Sequence, residues 1–312
     1  METKILSDSA FQPLEVLSNK SISIRNINRK KQFFQDFLGH KLALIGIITL
    51  IIIILMAIIG PQISGQSGSK QSLIDANLAP DGKHWFGTDD LGRDVFTRIW
   101  LGVRISLVIG VIAALVDIVI GIVVGAISGY AAGRSKLGDT IDNILMRIVD
   151  VLYGIPYLLI VILLLVLLKP GLITMIIALS LTGWVSMARI VRGQVLQVKQ
   201  EQYIKAAELL GTSHLKIIQQ HILPNIMGVI IVNLTFTIPS AIFAESFLSF
   251  LGLGIQAPSA SLGTMANDAL GVILSGEWWR LFFPSILIAL IMFCFNVIGD
   301  GLQDTLQVKG DK

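Results

Sequence analysis

Among 312 residues there is one cysteine, Cys294, there are four histidines, and charged side chains make up 14%. A lone cysteine inside an apolar run excludes an internal disulfide and a cysteine-based metal cluster, which makes redox chemistry unexpected. His40, His84, His214 and His221 all fall outside the long apolar runs. Ser180, Ser186, Ser246 and Ser249 lie within those runs with no histidine base beside them, so a nucleophile–base pair at membrane depth is missing and an intramembrane hydrolase is excluded. No GxxxxGK[ST] occurs anywhere, so the chain has no P-loop with which to bind or hydrolyse ATP. The Gly- and Asp-rich HWFGTDDLGRDVFTRIW, residues 84–100, resembles a phosphate loop only superficially. The net charge of +3 is expected to reflect orientation in a membrane, with no role for nucleic acid.

What is present is apolar. Hydrophobic residues make up 54% of the chain and the mean hydropathy is +0.77, too high for a soluble protein. Apolar runs at about 42–60, 103–130, 142–168, 172–190, 226–250 and 281–299 approach the ~20 residues that cross a hydrocarbon core. The expectation is an all-α integral membrane protein with six transmembrane helices. The first run follows a basic segment of about 40 residues and no small-residue cleavage site follows it, so it reads as a retained span and not a signal peptide. The domain plan is an arm over 1–41, a first helix over 42–60, an outer segment over 61–101, a five-helix core over 102–302 and a tail over 303–312. The core includes an inner loop at 193–225 and an outer loop at 251–280.

Lysine and arginine set the direction. Lys4, Lys20, Arg25, Arg29, Lys30, Lys31 and Lys41 precede the first run, Arg134 and Lys136 follow the second, Arg189, Arg192, Lys199, Lys205 and Lys216 lie between the fourth and fifth, and Lys309 and Lys312 close the chain. All fall on one side, which predicts cytoplasmic termini and a cytoplasmic 193–225 loop. The arm's bases either hold the N-terminus inside or bind anionic lipid. On the other side Lys70, Lys83, Arg93 and Arg98 are offset by Asp75, Asp81, Asp89, Asp90 and Asp94, with Lys169 and Arg280 further on.

Small residues such as Gly110, Ala113, Ala114, Gly121, Gly125, Ala126 and Gly129 let helix backbones approach closely, either inside one bundle or against a partner subunit. Pro239 and Pro284 mark breaks that neighbouring helices or a water-filled cavity would satisfy. The 84–100 segment reads either as an interfacial cap with Trp85 and Trp100 at the headgroups or as an outer lip for a substrate-delivering partner. In ESFLSFLGLGIQAPSASLGTMANDALGVILSGEWW, Gly252, Gly254, Pro258 and Gly263 break the helix, and Leu262 to Leu274 suits a short re-entrant or surface helix.

The polar stretch EQYIKAAELLGTSHLKIIQQHILPN, residues 201–225, is longer than a connection needs to be. Gln200 to Leu210 favours a helix that Gly211 stops, Thr212 or Ser213 suits the cap of a second helix to about His221, and Pro224 suits the start of the fifth span. Ala206 and Ala207 offer a small-residue face for a docking protein, and an elbow lying on the membrane surface is the other reading. Intramembrane polar groups are pathway candidates by default: Asp117, Asn233, Glu245 and Asn296. Each of these is otherwise an interhelical hydrogen-bond partner, and Glu245 otherwise reaches the interface.

The AA-x3-G of Ala206, Ala207 and Gly211, with Leu223-Pro224, resembles the EAA loop of permease subunits in bacterial ABC importers. Lys205 stands where that motif has Glu, and His221 where it has a later Ile, with Ile222 one place on. FGTDDLGRDVFTRIWLGVRISL, ESFLSFLGLGIQAP and IGDGLQDTL are similar to segments of the dipeptide, oligopeptide and nickel branch, C-type, over residues 40–307. The resemblance implies a type I importer permease in the bacterial cytoplasmic membrane. Its partners would be a second permease in a heterodimer, two ATPase subunits, an extracytoplasmic solute-binding protein and lipid. ATP and magnesium would sit on the ATPases, with no cofactor on this chain. It also implies ATPase coupling through Lys205, Ala206, Ala207, Glu208, Leu210, Gly211, Thr212, Ser213 and His214. Asp89, Asp90, Arg93, Asp94 and Gln256 are the candidate contacts for the binding protein. The absence of histidine from the spans tilts the substrate towards peptide over nickel. A transporter driven by an ion gradient is the reading from another class.

Overall fold

The computed structural model describes residues 29–169, 171–256 and 259–307. Lys4, Lys20, Arg25, Pro258, Lys309 and Lys312 lie outside these. Helices dominate: α1 (Arg29–Gly39), α2 (Lys41–Ile63), α3 (Val95–Ala131), α4 (Lys136–Gly154), α5 (Tyr157–Leu168), α6 (Leu172–Val198), α7 (Gln202–Leu209), α8 (His214–Lys216), α9 (Leu223–Phe250), α10 (Leu262–Asp268) and α11 (Trp279–Gln307). Five helical stretches are long and apolar enough to cross a membrane, and a bent pair brings the number to six.

That bent pair is where the expected third span differs. The run 142–168 is not one helix: α4 and α5 meet at 82°. The cause is local, since Pro156 cannot donate to the ladder and drives Ile155 into the extended region, at φ −89° and ψ 130°. The second span is longer than the apolar run. Asp94 caps α3 by accepting from the Thr97 backbone N–H at 2.8 Å and its hydroxyl at 2.7 Å, so helix begins at Val95, in what reads from sequence as outer segment. At about 1.5 Å per residue α3 reaches about 56 Å, well past the ~30 Å of a hydrocarbon core.

Small residues decide the packing. On α2, Ala43, Gly46, Ala57 and Gly60 form the buried stripe. A Cβ on Gly46 would stand 2.5 Å from Val297 of α11, and one on Gly60 would stand 2.6 Å from Trp100 of α3. Ile53 joins the stripe, while Ile45, Ile48, Ile51, Ile52, Leu55 and Ile58 stay exposed, as lipid-facing side chains would. Gly121, Gly125 and Gly129 face α6, where a Cβ would come within 2.5–2.8 Å of Met187, Ala188 and Arg192. These glycines serve packing inside the bundle and not a contact with another subunit. Trp100, read from sequence as a headgroup anchor, is instead buried in the core beside Ile99, Val103 and Leu262, whereas Trp85 stays half exposed against the edge of Phe96.

The outer loop is folded back onto the bundle. Gly254 sits against Ser249 and Gly263 against the Ser246 backbone, at positions where any Cβ would clash. The Ser261 and Thr264 capping box starts α10, which ends at Asp268, short of the expected Leu274.

Candidate functional site

The 201–225 stretch forms an elbow of two parts. Gly211 adopts φ +76° and closes α7 with a paired cap: its N–H donates to Glu208 O at 2.9 Å, and the Thr212 N–H to Ala207 O at 3.1 Å. Beyond the turn the structure differs from expectation. Ser213 is the cap residue of α8, but its hydroxyl makes no capping bond. The second helix does not end near His221: His214–Phe250 is one helical rod of 37 residues, and Pro224 lies inside it. A π-helical turn over Ile217–Ile222, in which the Leu223 N–H reaches Ile218 O, widens the helix where the proline ring would otherwise press on the preceding carbonyls.

The two alanines split. Ala207 is buried with Ile204, Ile217 and Ile222, while Ala206 and Lys205 are exposed, so they do not make one small-residue face. The outward surface is apolar elsewhere: Leu209 is 89% and Leu210 85% exposed, with Leu215 and Tyr203 beside them. These leucines form an exposed apolar patch on the turn.

Two residues that sequence reasoning missed hold the elbow to the end of α3. Arg134 pairs with Glu208, donates towards His214 Nδ1 at 3.3 Å, and lies 4.3 Å from the centroid of the Tyr130 ring. The Tyr130 hydroxyl is 3.1 Å from His214 Nδ1. Glu208 and His214, read from sequence as docking residues, therefore also clamp α7 to α8. Lys199 donates to Gly129 O at 2.9 Å and to Ala132 O, satisfying terminal carbonyls of α3, and burial pulls its ammonium below the usual lysine range. Nothing in the residue spacing signals these contacts, because they join positions about 70 to 84 apart.

Of the four intramembrane polar candidates, the structure brings two together. Asp117 of α3 and Asn233 of α9 line one cavity of about 280 Å³ with Tyr157, Ser186, Thr237 and Ser240. Asn233 also borders a second space, of about 460 Å³, with Asn225, Gly228 and Gln303, so one face of α9 carries polar groups from Asn225 to Ser240. Glu245 is not on that face. It is 0% exposed and accepts from the hydroxyls of Ser106 at 2.8 Å, Ser249 at 2.8 Å and Ser246 at 3.4 Å, which ties α9 to α3 and excludes its reaching the interface. Asn296 is exposed on α11 and lines neither space.

The outer candidates also divide. Asp89 is buried, accepts from Arg93 Nε at 2.7 Å and lies 3.4 Å from Arg98 Nε; Asp94 is buried against His84 at 2.9 Å. These carboxylates are structural and closed to a docking protein in this conformation. Asp90, Arg93 and Gln256 line a cavity of about 480 Å³ with Arg98, Asn267 and Asp268, and burial pushes the Asp268 carboxyl up.

Comparison with known proteins decides the family. Residues 121–309 match the family described as binding-protein-dependent transport system inner membrane component, and residues 29–80 match the N-terminal TM domain of oligopeptide transport permease C. The chain belongs to this family of membrane transport permeases. The permease is 60% identical over 270 residues to the dipeptide transport system permease protein DppC of Bacillus subtilis (strain 168), covering 86% of this chain and 82% of that one. It is 50% identical to the oligopeptide transport system permease protein OppC of the same organism, over 95% of this chain and 93% of that one. Identity to OppC of Escherichia coli (strain K12) is 38%, over 98% and 99%. A chain of the MetNI methionine ABC transporter in inward-facing conformations superposes with a TM-score of 0.52 at 20% identity, covering 65% of the permease and 96% of that chain. The permease thus has the type I importer fold and is a multi-pass membrane protein.

Proposed function

We propose that the permease forms half of the pathway through which an ATP-driven importer moves dipeptides or oligopeptides delivered by an extracytoplasmic binding protein. The relatives' names supply the substrate class. Its partners are a second homologous permease, two ATPase subunits and the binding protein. The elbow and both termini face the cytoplasm, in keeping with the distribution of lysine and arginine, and ATP with magnesium is held by the ATPases.

One observation carries the mechanism: the second part of the elbow, from α8 onward, and the polar face of α9 belong to the same rod, His214–Phe250. An ATPase that grips Lys205, Ala206, Leu209 and Leu210 pulls on α7. The Arg134, Tyr130, Glu208 and His214 clamp passes the pull to α8 and α3, and α9 carries it to Asn233. ATP-driven closure of the two ATPases brings the elbows together and opens the cavity outward; hydrolysis reverses it. Only contacts that differ between the two states shift such an equilibrium, so the elbow stays engaged throughout. In this reading Asn296, exposed on α11, faces the pathway between the two permeases, and Asp90 and Gln256 meet the binding protein. Co-purification is the test. Two ATPase chains are retained with the wild-type permease pair and lost when Leu209 and Leu210 are both changed to Asp; retention by that variant, or transport driven by an ion gradient without ATPases, contradicts the reading.

A further inference from the structure

We infer that the Asp117 cavity takes up the ammonium group of a passing peptide. Asp117 is 6% exposed, and its Oδ1 has no hydrogen-bond partner among the described residues. Among the described residues no cation pairs with it. Gly183 keeps the space for it: a Cβ there would overlap the carboxylate. A carboxylate at membrane depth without a donor is costly and marks a site where a donor arrives.

The rest of the lining points the same way. Asn233 donates its amide to Val229 O, Thr237 its hydroxyl to Asn233 O and Ser240 its hydroxyl to Phe236 O, each at 2.8 Å. Both hydroxyl protons and one of the two Asn233 amide protons are thereby used within α9, and the lone pairs of the Thr237 and Ser240 oxygens remain available around the cavity, beside the Tyr157 and Ser186 hydroxyls, which can accept as well as donate. One carboxylate ringed by hydroxyl lone pairs, with no cation in the lining, fits a monopositive group that carries several N–H donors. It repels a carboxylate, so a peptide enters with its ammonium end or a lysine side chain in the site. No group of three His, Cys, Asp or Glu side chains gathers among the described residues, the kind of set that holds a transition metal such as nickel or zinc. A cavity of about 280 Å³ holds one residue-sized group and not a whole peptide.

The inference rests on the reading of this face as a peptide pathway, and the experiment separates the two. The complete importer, with its partner permease, ATPases and saturating binding protein, is reconstituted in vesicles. Uptake is compared for tetraalanine, N-acetyl tetraalanine and an N-acetyl tetrapeptide containing one lysine. Using wild type and Asp117→Asn as ratios cancels the binding protein's own preference. The expected result is that Asp117→Asn lowers uptake of an ammonium-bearing peptide about tenfold, the size of one charge-assisted hydrogen bond, while N-acetyl tetraalanine, which carries no ammonium, suffers no such loss. Asp117→Glu restores part of the preference, and Gly183→Ala weakens it. A loss for tetraalanine identifies the α-ammonium as the ligand; a loss for the acetylated lysine peptide identifies the side chain. Equal losses for all three peptides, with ATPase stimulation retained, would overturn the inference, as would a requirement for sodium or potassium that Asp117→Asn abolishes. No uptake of any peptide by the wild-type importer would contradict the peptide reading itself.

Discussion

Glu245 shows what a buried carboxyl does when hydroxyls surround it. Three serine hydroxyls point at it, and the Ser106 oxygen in turn accepts from the Leu262 N–H at 3.4 Å, so a single side chain joins α3, α9 and the start of α10. Glu245→Ala leaves those donors unsatisfied and is expected to cost about 1–3 kcal/mol, read as a lower unfolding midpoint of the purified complex, whereas Glu245→Gln keeps one acceptor and loses less. Gly211 is the second residue whose chemistry is narrow. Its φ of +76° costs any other L-residue about 1–2 kcal/mol, and a β-branched one suits it least. Gly211→Val therefore distorts the elbow while leaving the spans intact. Sequence alone placed Gly211 at the turn, because a glycine between two helix-forming runs has few other uses. It did not separate Glu245 from Asp117: both are acidic residues within apolar runs, and only the packing of Ser106 against α9 distinguishes the carboxyl that is satisfied from the one that is not.

At the scale of elements, hydrophobic runs located the five long apolar helices, and the sixth run fell on the bent pair α4–α5; the glycines pointed to close-packed faces without saying against what they pack. Gly125→Leu would drive a side chain into the Ala188 carbonyl, which is 2.5 Å from the position of a Cβ, and is expected to abolish accumulation of the protein in membranes. Gly193→Ala has nothing within 4 Å and is expected to be tolerated or to stabilise α6 by about 0.5–1 kcal/mol, so expression of the pair checks the α3–α6 contact directly. Three features were hidden. The α4–α5 bend lies inside a run that is apolar on both sides of Pro156, so composition did not mark it. The π-helical turn hides because Pro224 looks like a helix start. The buried Asp89 and Asp94 sit among polar neighbours that read as a surface loop, while Arg280, 190 residues from Asp90 in sequence, closes the network in space. In that outer cap, burial raises the Asp268 carboxyl above its ordinary value of 3.8. Its folded form therefore favours the proton, and the associated stability is present at low pH and lost as pH rises through the raised value. Hydrogen exchange in α10 should slow at low pH in the parent and lose that component in Asp268→Asn.

For the whole molecule, the clamp of Tyr130, Arg134, Glu208 and His214 links the apolar tip of α7 to the rod His214–Phe250, which carries the polar track of α9. Arg134→Ala tests the middle link. The Arg134–Glu208 pair is partly exposed and adds little to stability, so the complex should assemble normally yet import fewer peptides per ATP; an unchanged ratio would remove the clamp from the mechanism. The central claim, that the elbow converts ATP hydrolysis into peptide movement, is tested most directly by the number of peptides imported per ATP hydrolysed in vesicles holding the full importer, for wild type and Gly211→Val. The account predicts continuing hydrolysis with that number reduced about tenfold or more, a barrier change of about 1.4 kcal/mol or above. An unchanged number of peptides per ATP in the Gly211→Val importer would contradict it.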